Sequence, residues 1–325
     1  MMAIACGSLG GVGEIVFGFV RGLRVRTLLA VSFVGVGVLL DGASGAGAFV
    51  EPGFTGFWGD YANCPALMIN GACVHSVTTG GVVEIGHSVV PISVPGDTFD
   101  MGIGGFEGEP QALCTAAGFA ECAVAPQHGI MNGPAQPVPG SLLGTIGNVK
   151  LGAVAAKLEW AAPVPSNTPF GAVTACGANL LTTFDLCKIL GGLSGTAITL
   201  SVKIHLLNPF LGSSCYIGSA ASPIVIPLTL GTTSPPPPNV PIKGKIGTAQ
   251  PLLSSLLLLG MALVNNSFSV PGATGCGTTG GGLVNASIDQ KLGLPSAAGH
   301  NTIVVDANGE EEEAAMILKH GWTGE

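Results

Sequence analysis

The stretch Ala197-Ile-Thr-Leu-Ser-Val-Lys-Ile-His-Leu206 decides the fold class. Ile198, Leu200, Val202, Ile204 and Leu206 fall on one side, and Thr199, Ser201, Lys203 and His205 on the other. That period of two is the pattern of a half-buried β-strand, since successive side chains of a strand point to opposite faces. The pattern returns in Ile224, Ile226, Leu228 and Leu230, alternating with Val225, Pro227 and Thr229. Pro227 has no amide proton to give a ladder, so this second strand is expected at an edge. Further strands are expected over 81–94, 147–160, 263–270, 282–290 and 302–306.

Composition agrees with many short strands. The 325 residues include 52 Gly and 23 Pro, which punctuate the chain too often for long helices. Sheet packed on sheet is the natural way to bury so many short strands. The expected fold is mostly β, an antiparallel β-sandwich with long Gly/Pro-rich loops and a short C-terminal helix. A partly open β-barrel is the alternative. The helix is expected to start from an Asn308 cap, with Glu310–Glu313 near its positive end, Lys319 and His320 near its negative end and Gly321 beyond.

The N-terminal region reads as an address. Arg21, Arg24 and Arg26 precede the apolar run from Leu28 to Leu40, and Ala46-Gly47-Ala48 closes a small-residue stretch. This order matches a secretory signal, with cleavage expected after Ala48. An uncleaved anchor using the apolar residues 15–20 is the competing reading. Initiation at Val20 would account for the residues ahead of the basic cluster. The expected organisation is a signal peptide at 1–48, a Gly/Pro/aromatic-rich part at 49–140, a β-sandwich at 141–306 and an acidic tail or short helix at 307–325. Leu252–Val264, the most apolar part after the signal, is too short for a membrane-spanning helix and reads as core. No stable membrane span is expected after signal cleavage.

Net charge is −8, and of the 11 Lys and Arg residues only eight, all Lys, follow Arg26, thinly spread from Lys150 to Lys319. Nucleic-acid binding needs a clustered cationic surface, so no nucleic-acid partner is expected. Eight cysteines follow the signal: Cys64, Cys73, Cys114, Cys122, Cys176, Cys187, Cys215 and Cys276. An even count in an exported chain points to disulfides, although eight cysteines allow 105 pairings. Spacing favours three local loops, Cys64–Cys73, Cys114–Cys122 and Cys176–Cys187. Cys215–Cys276 would then be a long-range clasp.

Four segments, Leu211-Gly-Ser-Ser-Cys-Tyr-Ile-Gly218, Gly231-Thr-Thr-Ser-Pro-Pro-Pro-Pro-Asn239, 264–277 and Leu292-Gly-Leu-Pro-Ser-Ala-Ala-Gly299, carry a resemblance. Over roughly 145–306 the chain resembles a family of secreted actinobacterial proteins of unknown function. The resemblance implies export, implies a Cys215–Cys276 pair, and carries over no catalytic residue.

No catalytic constellation is expected: six His are present, but no Gly-x-Ser-x-Gly elbow. Asp97, Asp100, Glu107 and Glu109 lie in a Gly-rich segment whose oxygens could hold Ca²⁺. No other cofactor is expected. Phe54, Phe57, Trp58 and Tyr61 could stack on sugar rings, or tuck the chain into the core beside Cys64. The four consecutive prolines at 235–238 read as a stiff connection rather than a partner's docking segment. The expected function is an exported, non-enzymatic structural or interaction module, secreted or held at the cell surface, with a surface glycan or protein as partner. A carbohydrate- or wall-binding module and a secreted hydrolase are the alternatives.

Overall fold

In the structure, a computed structural model, β1 (Ala72–Ile85) turns through Gly86-His87 into β2 (Ser88–Pro91). The described residues are 61, 64–69, 71–93, 98–104, 121–124, 131–146, 148–163, 169–174, 183–185, 195–252, 255–277 and 282–319. The signal region therefore lies outside them, as do Phe54, Phe57, Trp58, Asp97, Glu107, Glu109, Cys114, Cys176 and Cys187.

Next come β3 (Thr98–Gly104), β4 (Glu121–Val124), β5 (Met131–Asn132), β6 (Gln136–Val138) and the single-turn helix α1 (Gly140–Leu143). After it run β7 (Thr145–Ile146), β8 (Val149–Lys150), β9 (Val154–Trp160), β10 (Pro169–Thr174), β11 (Thr183–Asp185) and β12 (Ile198–Leu207). The remainder is β13 (Tyr216–Ile217), β14 (Ile224–Leu228), β15 (Thr248–Leu252), β16 (Ser255–Asn265), β17 (Ala273–Thr274), helix α2 (Gly282–Leu292), β18 (Asn301–Glu313) and helix α3 (Ala314–Lys319).

The chain is mostly β, antiparallel among the described residues but for the β10–β11 pair, and sandwich-like rather than a closed barrel. One layer is built on β15-β16-β18-β1-β3, and the other on β14, β12 and β9. The ladder folds back on itself, so the apolar sides of both layers meet in a single core with α2. One bridge, Thr229 to Val264, ties β14 to β16 where the layers come together.

Strands β12 and β14 have the alternation read from sequence. Leu200, Val202 and Leu206 are buried on β12, and Ile224, Ile226 and Leu228 on β14. β14 has one ladder neighbour among the described residues, β12, in keeping with Pro227. The free carbonyl of Pro227 accepts a hydrogen bond from the Asn265 side-chain amide (2.5 Å).

Five expectations are corrected. Residues 147–160 hold β8 and β9, separated at 151–153, rather than one strand, and in 263–270 the strand β16 ends at Asn265. Residues 282–290 form most of a helix, not a strand. Val284, Ile288 and Leu292, four apart, give that helix its core stripe, and Gly293 at φ +73° ends it. Residues 81–94 are not one strand: they hold the end of β1, the Gly86-His87 turn and β2. Residues 308–313 do not open a helix. They continue β18, because β1 and β16 pair with it on both sides, leaving α3 only six residues.

Candidate functional site: an apolar cavity between the layers

The inner face of the first layer is set by register. On β18 the residues Ile303, Val305, Ala307 and Glu311 follow the period of two without a break. Its two neighbours each carry one extra residue at the level of Ala307. In β1 the register shifts between Thr78 and Gly80, and in β16 between Leu258 and Met261. Such bulges move every later side chain to the other face. Val74, Ser76 and Thr78 therefore share a face with Val83 and Ile85, and Leu256 and Leu258 with Met261 and Leu263. This explains why the leucine run of β16 shows no alternation in sequence while its strand is still two-sided.

Opposite stand Leu200, Ile204 and Leu206 of β12 and Ile224, Ile226 and Leu228 of β14. The two faces do not fill the space between them. A cavity of about 300 Å³ remains, lined also by Leu143 of α1 and Leu292 of α2. An apolar void of about half that size is enough to take a benzene molecule. Among the described residues no Lys, Arg or His lines it.

The few polar wall groups are mostly committed. Ser76 donates to the Asn308 carbonyl (3.1 Å), Thr98 donates to the Asn132 carbonyl (2.9 Å), and Gln136 Oε1 accepts from the Ser93 amide (3.0 Å). Ser88 differs: it is 5% exposed, lines the cavity, and its Oγ has no hydrogen-bond partner among the described residues. Its position is fixed by the turn before it. The Gly86 amide donates to Asn301 Oδ1 (3.1 Å), and the His87 amide donates to the Leu292 carbonyl (3.0 Å). Asn301 is fully buried and donates in turn to the Phe268 and Ala297 carbonyls. Gly86 is required there, since its φ is +55° and a Cβ would lie 2.3 Å from the Leu292 carbonyl oxygen.

The other face of the same strands has different chemistry. His75 Nδ1 is hydrogen-bonded to Asp100 Oδ1, and Glu310 faces His75 across the ladder. Glu312, fully buried, faces Cys73. Asp100, one of the four residues considered for Ca²⁺, is thus buried against a histidine. Among the described residues no group of His, Cys, Asp and Glu has metal-binding geometry. A second, smaller core takes in Cys73 of this face, with Tyr61, Cys64, Ala66, Ile69, Ala314 and Ile317. Tyr61 is 1% exposed, so its ring is packed inside rather than presented to solvent.

His205 lies on the polar side of β12, as its place in the alternation implies. Its Nδ1 is 3.0 Å from Glu159 Oε1, its ring stacks on Tyr216 at 4.4 Å, and Lys203 sits 4.2 Å above the same tyrosine. Burial first, then the charge and hydrogen bond of Glu159, push the Tyr216 phenol above its usual value of 10.0.

Cys64 is bonded to Cys73 and Cys215 to Cys276. For Cys122, in β4, only the backbone is described. No helix among the described residues is long and apolar enough to cross a membrane. Comparison with protein-family models, curated proteins and solved structures finds no match to this chain.

The cavity was not visible in the sequence, which marks its walls only as core. Ser88 is flanked by His87 and Val89 in an otherwise ordinary strand, and nothing local distinguishes it.

Proposed function

We propose that this chain is an exported, non-enzymatic binding module that holds the apolar part of a small ligand between its sheet layers. The cavity carries the proposal: about 300 Å³ walled almost wholly by aliphatic side chains, within the range of small-molecule sites. Burying a methylene contributes about 0.8 kcal/mol. A ten-carbon chain then supplies roughly 8 kcal/mol, a ceiling on affinity near 1 μM.

Export is supported by two observations and by the resemblance read from the sequence. The N-terminal sequence has the order basic, apolar, small. Two cysteine pairs are bonded, which fits an oxidising compartment. The motifs of 211–299 resemble secreted actinobacterial proteins. The aromatic platform of a glycan binder, Phe54, Phe57 and Trp58, lies outside the described residues, and no observation favours that reading.

Titration with Nile red tests the binding. Saturable 1:1 binding in the micromolar range is expected, and Met261→Trp, which places an indole in the cavity, should abolish it. Wild-type protein that leaves the dye unbound would overturn the reading. Separately, N-terminal sequencing of protein from the culture medium should begin at Phe49.

A further inference from the structure

A hydroxyl buried in an aliphatic wall costs stability unless something hydrogen-bonds it. The other polar groups named in this wall have their partners; Ser88 Oγ, on a 5% exposed residue facing the cavity, has none among the described residues. The tethered Gly86-His87 turn holds it in place, so it cannot swing to solvent without breaking the bonds to Asn301 and Leu292. The wall also lacks any cation among the described residues, while Glu311 lies on the cavity face at the end of β18. A buried carboxylate or phosphate would find no counter-charge there, and an unpaired buried charge is far costlier than an unpaired hydroxyl.

We infer that Ser88 is a specificity-determining residue and that the ligand is an aliphatic chain bearing an uncharged oxygen, a hydroxyl or an ester, within hydrogen-bonding reach of Ser88 Oγ. This rests on the cavity being a binding site. Ser88 donates to the ligand oxygen or accepts from its hydroxyl; no bond is made or broken. The site thereby selects neutral oxygenated chains over both plain hydrocarbons and free fatty acids.

The test is displacement of Nile red from the full chain by 1-dodecanol, decane and dodecanoate at pH 8. On wild type, dodecanol should displace at a concentration about tenfold or more below dodecanoate. Ser88→Ala should weaken dodecanol about 3- to 10-fold, the worth of one hydrogen bond, and leave decane unchanged, which also reports that the cavity is intact. Ser88→Thr keeps the hydroxyl and should restore dodecanol. Three results would overturn the inference while leaving the binding reading in place: no change for dodecanol in Ser88→Ala, an equal loss for decane and dodecanol, or dodecanoate as tight as dodecanol. Failure of wild type to bind Nile red at all removes both.

Discussion

The two faces of the β1–β18 pair differ in what they ask of their side chains. The inner face is aliphatic and under-filled, with Val83, Ile303 and Val305 bordering open space. The outer face is polar, with His75, Asp100, Glu310 and Glu312 all buried. One ladder of backbone bonds serves both. Stability on the outer side depends on each charged group keeping its partners; on the inner side it depends on area removed from water. A shape that can accept a ligand survives only on the second kind of face, where nothing needs a fixed neighbour.

The bridges sharpen this contrast most. Cys215–Cys276 closes a 61-residue separation in the main core, and Cys64–Cys73 a 9-residue one in the outer core. On the chain-entropy account, replacing both cysteines by serine should cost about 4 kcal/mol for the first and about 2.5 kcal/mol for the second. Urea unfolding of the two double variants measures the difference, and equal losses would break the ranking. Next in size, His75→Ala leaves Asp100 buried without its histidine and should cost roughly 3 kcal/mol. Its chain neighbour Val74→Ala, on the cavity face, should cost only about 1 kcal/mol. If the two variants unfold at the same urea concentration, the faces are not energetically distinct.

How much of this was legible follows from locality. β12 and β14 could be read because each is apolar on one side and unbroken in register. β16 could be read only as core, because the extra residue near Gly260 shifts Leu256 and Met261 onto one face despite their odd spacing. Helix α2 carried its signals, Lys291 and Gly293 at the end and Val284, Ile288 and Leu292 at helical spacing, yet the short Leu-Val start reads equally as strand. The Glu310–Glu313 run has the charge of a helix start and became strand because β1 and β16 claim its backbone. The cavity depends on the distance between two layers, which no window of sequence contains.

The smallest expected effect concerns the polar side of β12. Tyr216 is held neutral by burial and by Glu159, so its titration lies above 10.0. Because the unfolded chain loses that proton first, stability should fall as pH climbs past about 10. Glu159→Gln should move the absorbance titration of Tyr216 part of the way back, burial remaining. An unchanged titration would remove Glu159 from the account.

The paired extra residues in β1 and β16 have one more consequence. Along the spans where they pair with β18, both flanking strands carry one residue more than β18 does, and each bulge bends and twists its strand. Bends of that kind are set by main-chain register rather than by the size of the side chains, and to that extent they shape the hollow independently of them. A hollow made that way outlasts exchange of the residues lining it, which leaves those residues free to be retuned for a different guest on an unaltered frame.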